Sequence, residues 1–220
     1  MNQINHLIIG NKNYSSWSLR PWLLLKVKGI EFKETKISLY TEGSKAELLK
    51  FSATGKVPVF EHAENVVWDS LAICEYIADV FPNANCWPEN LEERSLARSI
   101  SNEMHSGFLS IRNTLHMNCR LAIVLDKISA EVQSDIDRIC EIWRLCRGKY
   151  STSGEFLFGD FTIADAMYAP IVLRFQSYGI KVGNIEREYM DKILSILALK
   201  KWVSAGVSET EFIEECEIIV

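Results

Sequence analysis

The chain lacks four things that would each define a function class: a Cys-x-x-Cys pair, a Cys/His cluster at zinc-finger spacing, a long apolar run and an excess of positive charge. The six cysteines (Cys74, Cys86, Cys119, Cys140, Cys146 and Cys216) are too irregularly spread for a disulfide scaffold or a zinc module. They read as reduced, mostly buried thiols, and no metal site is expected. Apolar stretches such as Trp22-Leu23-Leu24-Leu25 stop at a charge, here Lys26, whereas a membrane helix needs about 18 apolar residues. No membrane association is expected. With 24 basic and 29 acidic residues the net charge is −5; no basic stripe is visible, which argues against nucleic acid as a partner. The opening residues Met1 to His6 have no basic patch leading an apolar core, so no secretory signal is expected and the expected compartment is the cytoplasm.

What is present is ordinary for a globular chain: 220 residues, 48% hydrophobic and 24% charged, enough for one large or two small domains. Residues 1–80 carry nine basic and nine acidic groups, whereas the remainder carries 15 and 20. The texture changes at the same place. Short β-type runs alternating with helical stretches give way to almost continuous helical periodicity. Between them lies Phe81-Pro82-Asn83-Ala84-Asn85-Cys86-Trp87-Pro88-Glu89-Asn90, which holds two of the five prolines and cannot continue a helix. The expected organisation is an α/β domain over 1–81, a linker over 82–90 and an all-helical domain over 91–220.

In the first part, His6 to Ile9 reads as a buried strand and Ser18 as the cap of a helix from Leu19 to about Lys28, with Pro21 in its first turn. Phe32 to Leu39 alternates as an edge strand. Val57 to Phe60 and Val66 to Trp68 are strands separated by a hairpin-length connection, and Ser70 to Phe81 is a helix with one apolar face. The order is βαβ, a loop with room for a short helix, then ββα, which is the thioredoxin layout. In the second part the periodicity predicts a long helix over Glu92 to His116, another over Glu131 to Lys149, and a central buried one from Thr162 to about Tyr178 opened by Thr162-Ile163-Ala164-Asp165 as a capping box. Weaker helical patterns cover Ile185 to Lys200 and Glu209 to Cys216.

Three short stretches carry chemistry: Tyr14-Ser15-Ser16-Trp17-Ser18-Leu19-Arg20, Thr54-Gly55-Lys56-Val57-Pro58-Val59 and Trp68-Asp69-Ser70-Leu71-Ala72-Ile73. In this order the sequence resembles the glutathione transferase superfamily over its whole length, and the first stretch is similar to the Ser-Ser-Cys-Ser-x-Arg signature of the serine-type, zeta-like class. The resemblance implies a thioredoxin-like domain that binds glutathione as co-substrate and a helical domain that holds a small hydrophobic electrophile. It also implies a homodimer and a role in detoxification.

Residue by residue, the resemblance implies a cis bond before Pro58, with the Val57 backbone pairing strand-like with the cysteinyl unit of glutathione. Ser70 at a helix N-terminus suits the γ-glutamyl carboxylate, and Asp69, where the family more often has Glu or Gln, suits the glutamyl ammonium. Lys56 suits the glycine carboxylate. Ser15, then Ser16, are the candidate hydroxyls that stabilise the thiolate of glutathione, whose free thiol has a pKa near ~8.5; Tyr14 is the third. Helix capping is the competing role for Ser15, Ser16, Asp69 and Ser70. Trp17 stands where the zeta class has cysteine, so it sits at the glutathione site without being a thiol, and disulfide-exchange chemistry lacks its usual nucleophile. His105, Phe108 and Arg112 share a helical stripe expected to face the electrophile, and Arg174 is set either to meet an acidic substrate or to pair with Asp160 or Asp165. The function expected is conjugation or glutathione-dependent isomerisation. A non-catalytic binding or regulatory protein of the same fold is the alternative.

Overall fold

The computed structural model describes residues 5–150 and 154–217. Four short strands, β1 (His6–Ile9), β2 (Lys33–Lys36), β3 (Val59–His62) and β4 (Asn65–Trp68), form one sheet in the order β2-β1-β3-β4. β2 runs parallel to β1; β3 runs antiparallel to both β1 and β4. Strand alternation divides the core. Leu7 and Ile9 turn to the face covered by α1 (Ser16–Val27) and α3 (Ser70–Val80), while Ile8 joins Ile37, Leu48 and Val59 on the opposite face, beside α2 (Ser44–Leu48). This is the thioredoxin-like α/β arrangement followed by an all-helical remainder.

The remainder comprises α4 (Leu91–Ser106), α5 (Leu109–Thr114), α6 (Ala130–Tyr150), α7 (Ile163–Ser177), α8 (Asn184–Ser195) and α9 (Leu197–Val207). α7 is buried almost all round and packs against α1 and α4. One continuous core therefore runs from Leu7 through α7 to Trp202. No helix among the described residues is long and apolar enough to cross a membrane.

Several local expectations are corrected. α1 starts at Ser16, because Ser15 rather than Ser18 is the cap: its Oγ accepts from the Ser18 N–H at 3.3 Å. Pro21 consequently lies inside the helix, where its missing N–H leaves the Trp17 carbonyl without a helical donor. β3 begins only after Pro58, which has no N–H to give a ladder. The long helix expected over Glu92 to His116 breaks at Gly107 and Phe108. Phe108 has a φ of +58°, and a Cβ on Gly107 would lie 2.8 Å from the Glu103 carbonyl oxygen. Arg112 makes the break tolerable: its guanidinium donates to the carbonyls of Met104, His105 and Gly107, which the helix end orphans. Ile185 to Lys200 divides in the same way at Ile196.

Glu209 to Cys216 is not an α-helix but an extended strap with one 3-10 turn at Glu214–Cys216. Tertiary charge pairs set its course. The Glu209 carboxylate accepts from the Lys12 and Asn13 amides at 2.9 and 3.0 Å. Glu211 pairs with Lys36 and Ser38, and these two donors hold its carboxyl down near 2. Glu217 accepts from Asn118 at 2.8 Å. Alternate acids of one segment thus reach back to the β1–α1 loop and β2, as an extended chain allows and a helix does not.

Candidate active site

Two adjoining cavities open between the α/β unit and the helices. The smaller, about 380 Å³, is lined by Trp17, Thr54, Lys56, Val57, Pro58, Trp68, Asp69, Ser70 and His105. The larger, about 660 Å³, includes Tyr14, Ser15, Ser16, Arg112, His116, Arg174 and Cys216 in its lining. Trp17, Lys56 and Val57 belong to both. The indole of Trp17 is fixed between cations, with the guanidinium carbons of Arg20 and Arg112 lying 4.3 and 4.7 Å from its ring centroid. The His105 ring meets it edge-on at 5.4 Å.

Around the smaller cavity the bond from Val57 to Pro58 is cis. Asp69 caps α3: one carboxylate oxygen accepts from the Leu71 and Ala72 amides at 3.0 and 3.1 Å. The other oxygen lies 3.2 Å from His105 Nε2. The cap thus occupies half of the carboxylate and leaves half for a partner. Ser70, almost wholly buried at the first position of α3, accepts from Arg20 Nη1 at 3.4 Å. Burial pushes the His105 imidazole down; Asp69 opposes this, and Arg20 and Arg112 reinforce it.

Around the larger cavity the early hydroxyls separate. The Ser15 hydroxyl donates to Ser18 Oγ at 2.8 Å and accepts the capping amide, so both its functions are spent inside α1. Ser16 Oγ accepts from Arg174 Nη2 at 3.4 Å, and its hydroxyl hydrogen has no acceptor among the described residues. Arg174 is buried, donates also to the Leu115 carbonyl, and leaves its Nε unpartnered. It does not pair with Asp165, whose carboxylate is taken by the Thr162 and Leu157 amides and by the Thr162 and Tyr189 hydroxyls.

Phe108 and Arg112 of the expected helical stripe, and Tyr14, the third candidate hydroxyl, are held differently from expectation. Phe108 lines neither cavity. It is the left-handed residue that opens α5, and its side chain belongs to the core. Tyr14 lines the larger cavity, but its hydroxyl bonds Glu217 and Arg120 and accepts from the Ile213 amide, and burial raises its pKa. Arg112 reaches the cavity by stacking on Trp17, while its donors serve the end of α4. Sequence reasoning missed Trp68, His116 and Cys216. Cys216 in particular is carried in by the strap, roughly two hundred residues away along the chain from Ser16, and no local pattern signals that contact.

The four-stranded thioredoxin-like sheet with its helices packs through α1 onto α7 of the helical remainder. Residues 14–80 match the model of the glutathione S-transferase N-terminal domain. The chain is 26% identical over 167 residues to glutathione S-transferase 1 of Dianthus caryophyllus, covering 71% of this chain and 74% of that one. It is 28% identical over 176 residues to a probable maleylacetoacetate isomerase of Caenorhabditis elegans, covering 77% and 78%. Among solved structures, a glutathione transferase homologue from Burkholderia gl BGR1 with bound glutathione superposes with a TM-score of 0.70 at 21% identity, over 92% of this chain and 98% of that one. Residues 14–80 thus match the N-terminal domain of glutathione S-transferases, and the longer alignments make the chain similar to proteins of that kind.

Proposed function

We propose that this protein is a glutathione-dependent transferase or isomerase of the serine-type, zeta-like kind. The observation that carries the reading is the junction at Trp17 of two cavities, one lined by Val57, Asp69 and Ser70 and the other by Ser16 and Arg174. Glutathione lies in the smaller cavity. Its γ-glutamyl carboxylate meets Ser70 at the first position of α3, where the helix end favours an anion; its ammonium meets the Asp69 oxygen that the cap leaves over, in competition with His105; its cysteinyl unit pairs with the Val57 backbone; and Lys56 meets the glycine carboxylate. The sulfur then points past Trp17 toward Ser16. A thiol near ~8.5 is mostly protonated at neutral pH, and the hydroxyl of Ser16, polarised by the Arg174 guanidinium, donates to the thiolate and stabilises it. Ser15 holds the helix that presents Ser16.

The thiolate attacks an electrophilic carbon held in the larger cavity, forming a carbon–sulfur bond. Loss of a leaving group or uptake of a proton completes conjugation; rotation in the adduct followed by expulsion of the same thiolate completes isomerisation. Lys45, Lys56, Arg112 and Arg174 line that cavity beside Leu39 and Met117, with no carboxylate in the lining among the described residues. This supports an electrophile with an apolar body and an anionic end. The reading includes a cytoplasmic homodimer. Retention on immobilised glutathione separates it from a non-catalytic scaffold: no retention, together with no turnover of any glutathione-dependent conjugation or isomerisation substrate, overturns it.

A further inference from the structure

Six cysteines are present, and their surroundings differ. Cys74, Cys86, Cys140 and Cys146 are buried. Cys119 is half-buried, its Sγ lies 3.6 Å from the Lys12 carbonyl, and burial pushes its thiol up to about 12. Cys216 lines the larger cavity, the one that holds Ser16 and Arg174. Its position is anchored, because the next residue, Glu217, is bonded by Asn118 and Tyr14, and Ile213 donates to the Tyr14 hydroxyl at 3.4 Å. Opposite it stands Arg174, which is 6% exposed and has an Nε without a hydrogen-bond partner among the described residues. Partly exposed thiols facing cations are the ones that exchange.

We propose that Cys216 is a thiol–disulfide exchange site that accepts a glutathionyl group from glutathione disulfide bound across the two cavities. The inference rests on the glutathione reading above. One half of the disulfide occupies the smaller cavity, which brings its sulfur past Trp17 to the boundary of the larger one, where Cys216 waits. The Cys216 thiolate attacks that sulfur. The bond between Cys216 Sγ and the glutathionyl sulfur forms as the original disulfide bond breaks, and the second glutathione leaves as a thiolate that takes up the proton given up by Cys216. One disulfide and one thiol stand on each side, so no external oxidant is needed; reduced glutathione reverses the step. A thiol thus returns, from the far end of the chain, to a site whose usual cysteine position is occupied by Trp17. Once loaded, the glutathionyl group on Cys216 stays in the smaller cavity, keeps free glutathione out of it and switches turnover off.

Several charges act on this thiol. Burial raises its pKa, Glu215 and Glu217 add to that, and Arg174 opposes them, so exchange quickens as pH rises above neutrality.

The test treats the full native chain with glutathione disulfide and reads intact and peptide masses. One adduct on Cys216 is expected, with a rate that saturates in the disulfide and falls when S-methylglutathione, which cannot exchange, is added. Conjugation activity falls with loading and returns with reduced glutathione, while Cys216→Ser acquires no adduct and its activity, at whatever basal level, does not decline on incubation with the disulfide. An adduct on Cys119 instead, or a rate at Cys216 that stays linear and ignores S-methylglutathione, overturns the proposal while glutathione retention stands. Loss of retention on immobilised glutathione overturns it together with the reading beneath it.

Discussion

The Asp69 carboxylate and the His105 imidazole meet at 3.2 Å, joining the strand-to-helix turn of the α/β unit to α4 of the helical unit. Both side chains line the smaller cavity. His105 is therefore a competitor for the carboxylate oxygen that we assign to the glutamyl ammonium. Burial lowers the imidazole from its ordinary 6.5, so it is neutral at neutral pH and releases Asp69 to the ligand. As pH falls through the lowered pKa the ring gains a proton and holds Asp69 as an ion pair. Glutathione affinity is expected to weaken toward pH 5.5 by no more than about fivefold, since a partly exposed pair contributes at most ~1 kcal/mol. His105→Asn should flatten the profile. Calorimetric titration at several pH values checks this, and an identical slope in the variant removes His105 from the site.

Ser15 and Ser16 are adjacent but should fail in different ways. Ser15→Ala removes the cap of α1 and should cost about 0.5–2 kcal/mol of stability, visible as a lower denaturation midpoint with most turnover kept. Ser16→Ala leaves the cap intact and removes the donor aimed at the sulfur; a loss of about 10²–10³ in kcat is expected by analogy with other single donors to a developing anion. Ultraviolet absorbance of bound thiolate should fall in Ser16→Ala and persist in Ser15→Ala. The reverse pattern would return the catalytic role to Ser15.

How much of this could be read without coordinates depends on whether a signal is local. The start of α3 at Asp69 and Ser70 and the Thr162–Asp165 capping box are set by neighbours within a few residues, and the pattern exposes them. The break of α4 is different. Ile100, Met104, Ile111 and Leu115 keep an apolar rhythm straight through it, and only the reach of Arg112 back to three carbonyls shows why the backbone can turn at Gly107. That turn also removes Phe108 from the cavity wall. The strap is further still from local reasoning. Its acids have a helix-compatible spacing in sequence, yet Glu209 and Glu211 find partners in the first forty residues and Glu217 bonds Asn118, and that pairing decides where Cys216 lies.

Arg112→Ala is expected to destabilise the protein and to loosen Trp17. Three carbonyls lose their donor, and a partner removed from a part-buried group costs about 1–3 kcal/mol. Lysine should not restore the loss, because a single ammonium cannot reproduce a planar fork that spans Met104, His105 and Gly107 while stacking on an indole. Urea denaturation gives the stability term, and Trp17 emission, compared with a Trp17→Phe reference, gives the second. Full rescue by Arg112→Lys would mean that charge, not the fork, is what α4 requires.

Asp165 sits wholly buried at the start of α7 with four donors and no cation: the Thr162 and Leu157 amides and two hydroxyls. The donors favour the carboxylate, yet burial outweighs them and raises the group from 3.8 to about 6. The sign of the pH effect follows. Between those two values the folded protein holds a proton at Asp165 that the unfolded chain has released, so this group's contribution is fully present below 3.8 and is lost as pH rises through about 6. The difference is on the order of 3 kcal/mol. Asp165→Asn should erase that slope and also lower stability at every pH, because its amide nitrogen presents hydrogens to the Thr162 amide where a second acceptor is required. Denaturant midpoints for both proteins between pH 4 and 8 measure the effect. Parallel curves would show that the buried carboxylate keeps its ordinary affinity for a proton, and that its four donors, rather than its burial, govern its charge.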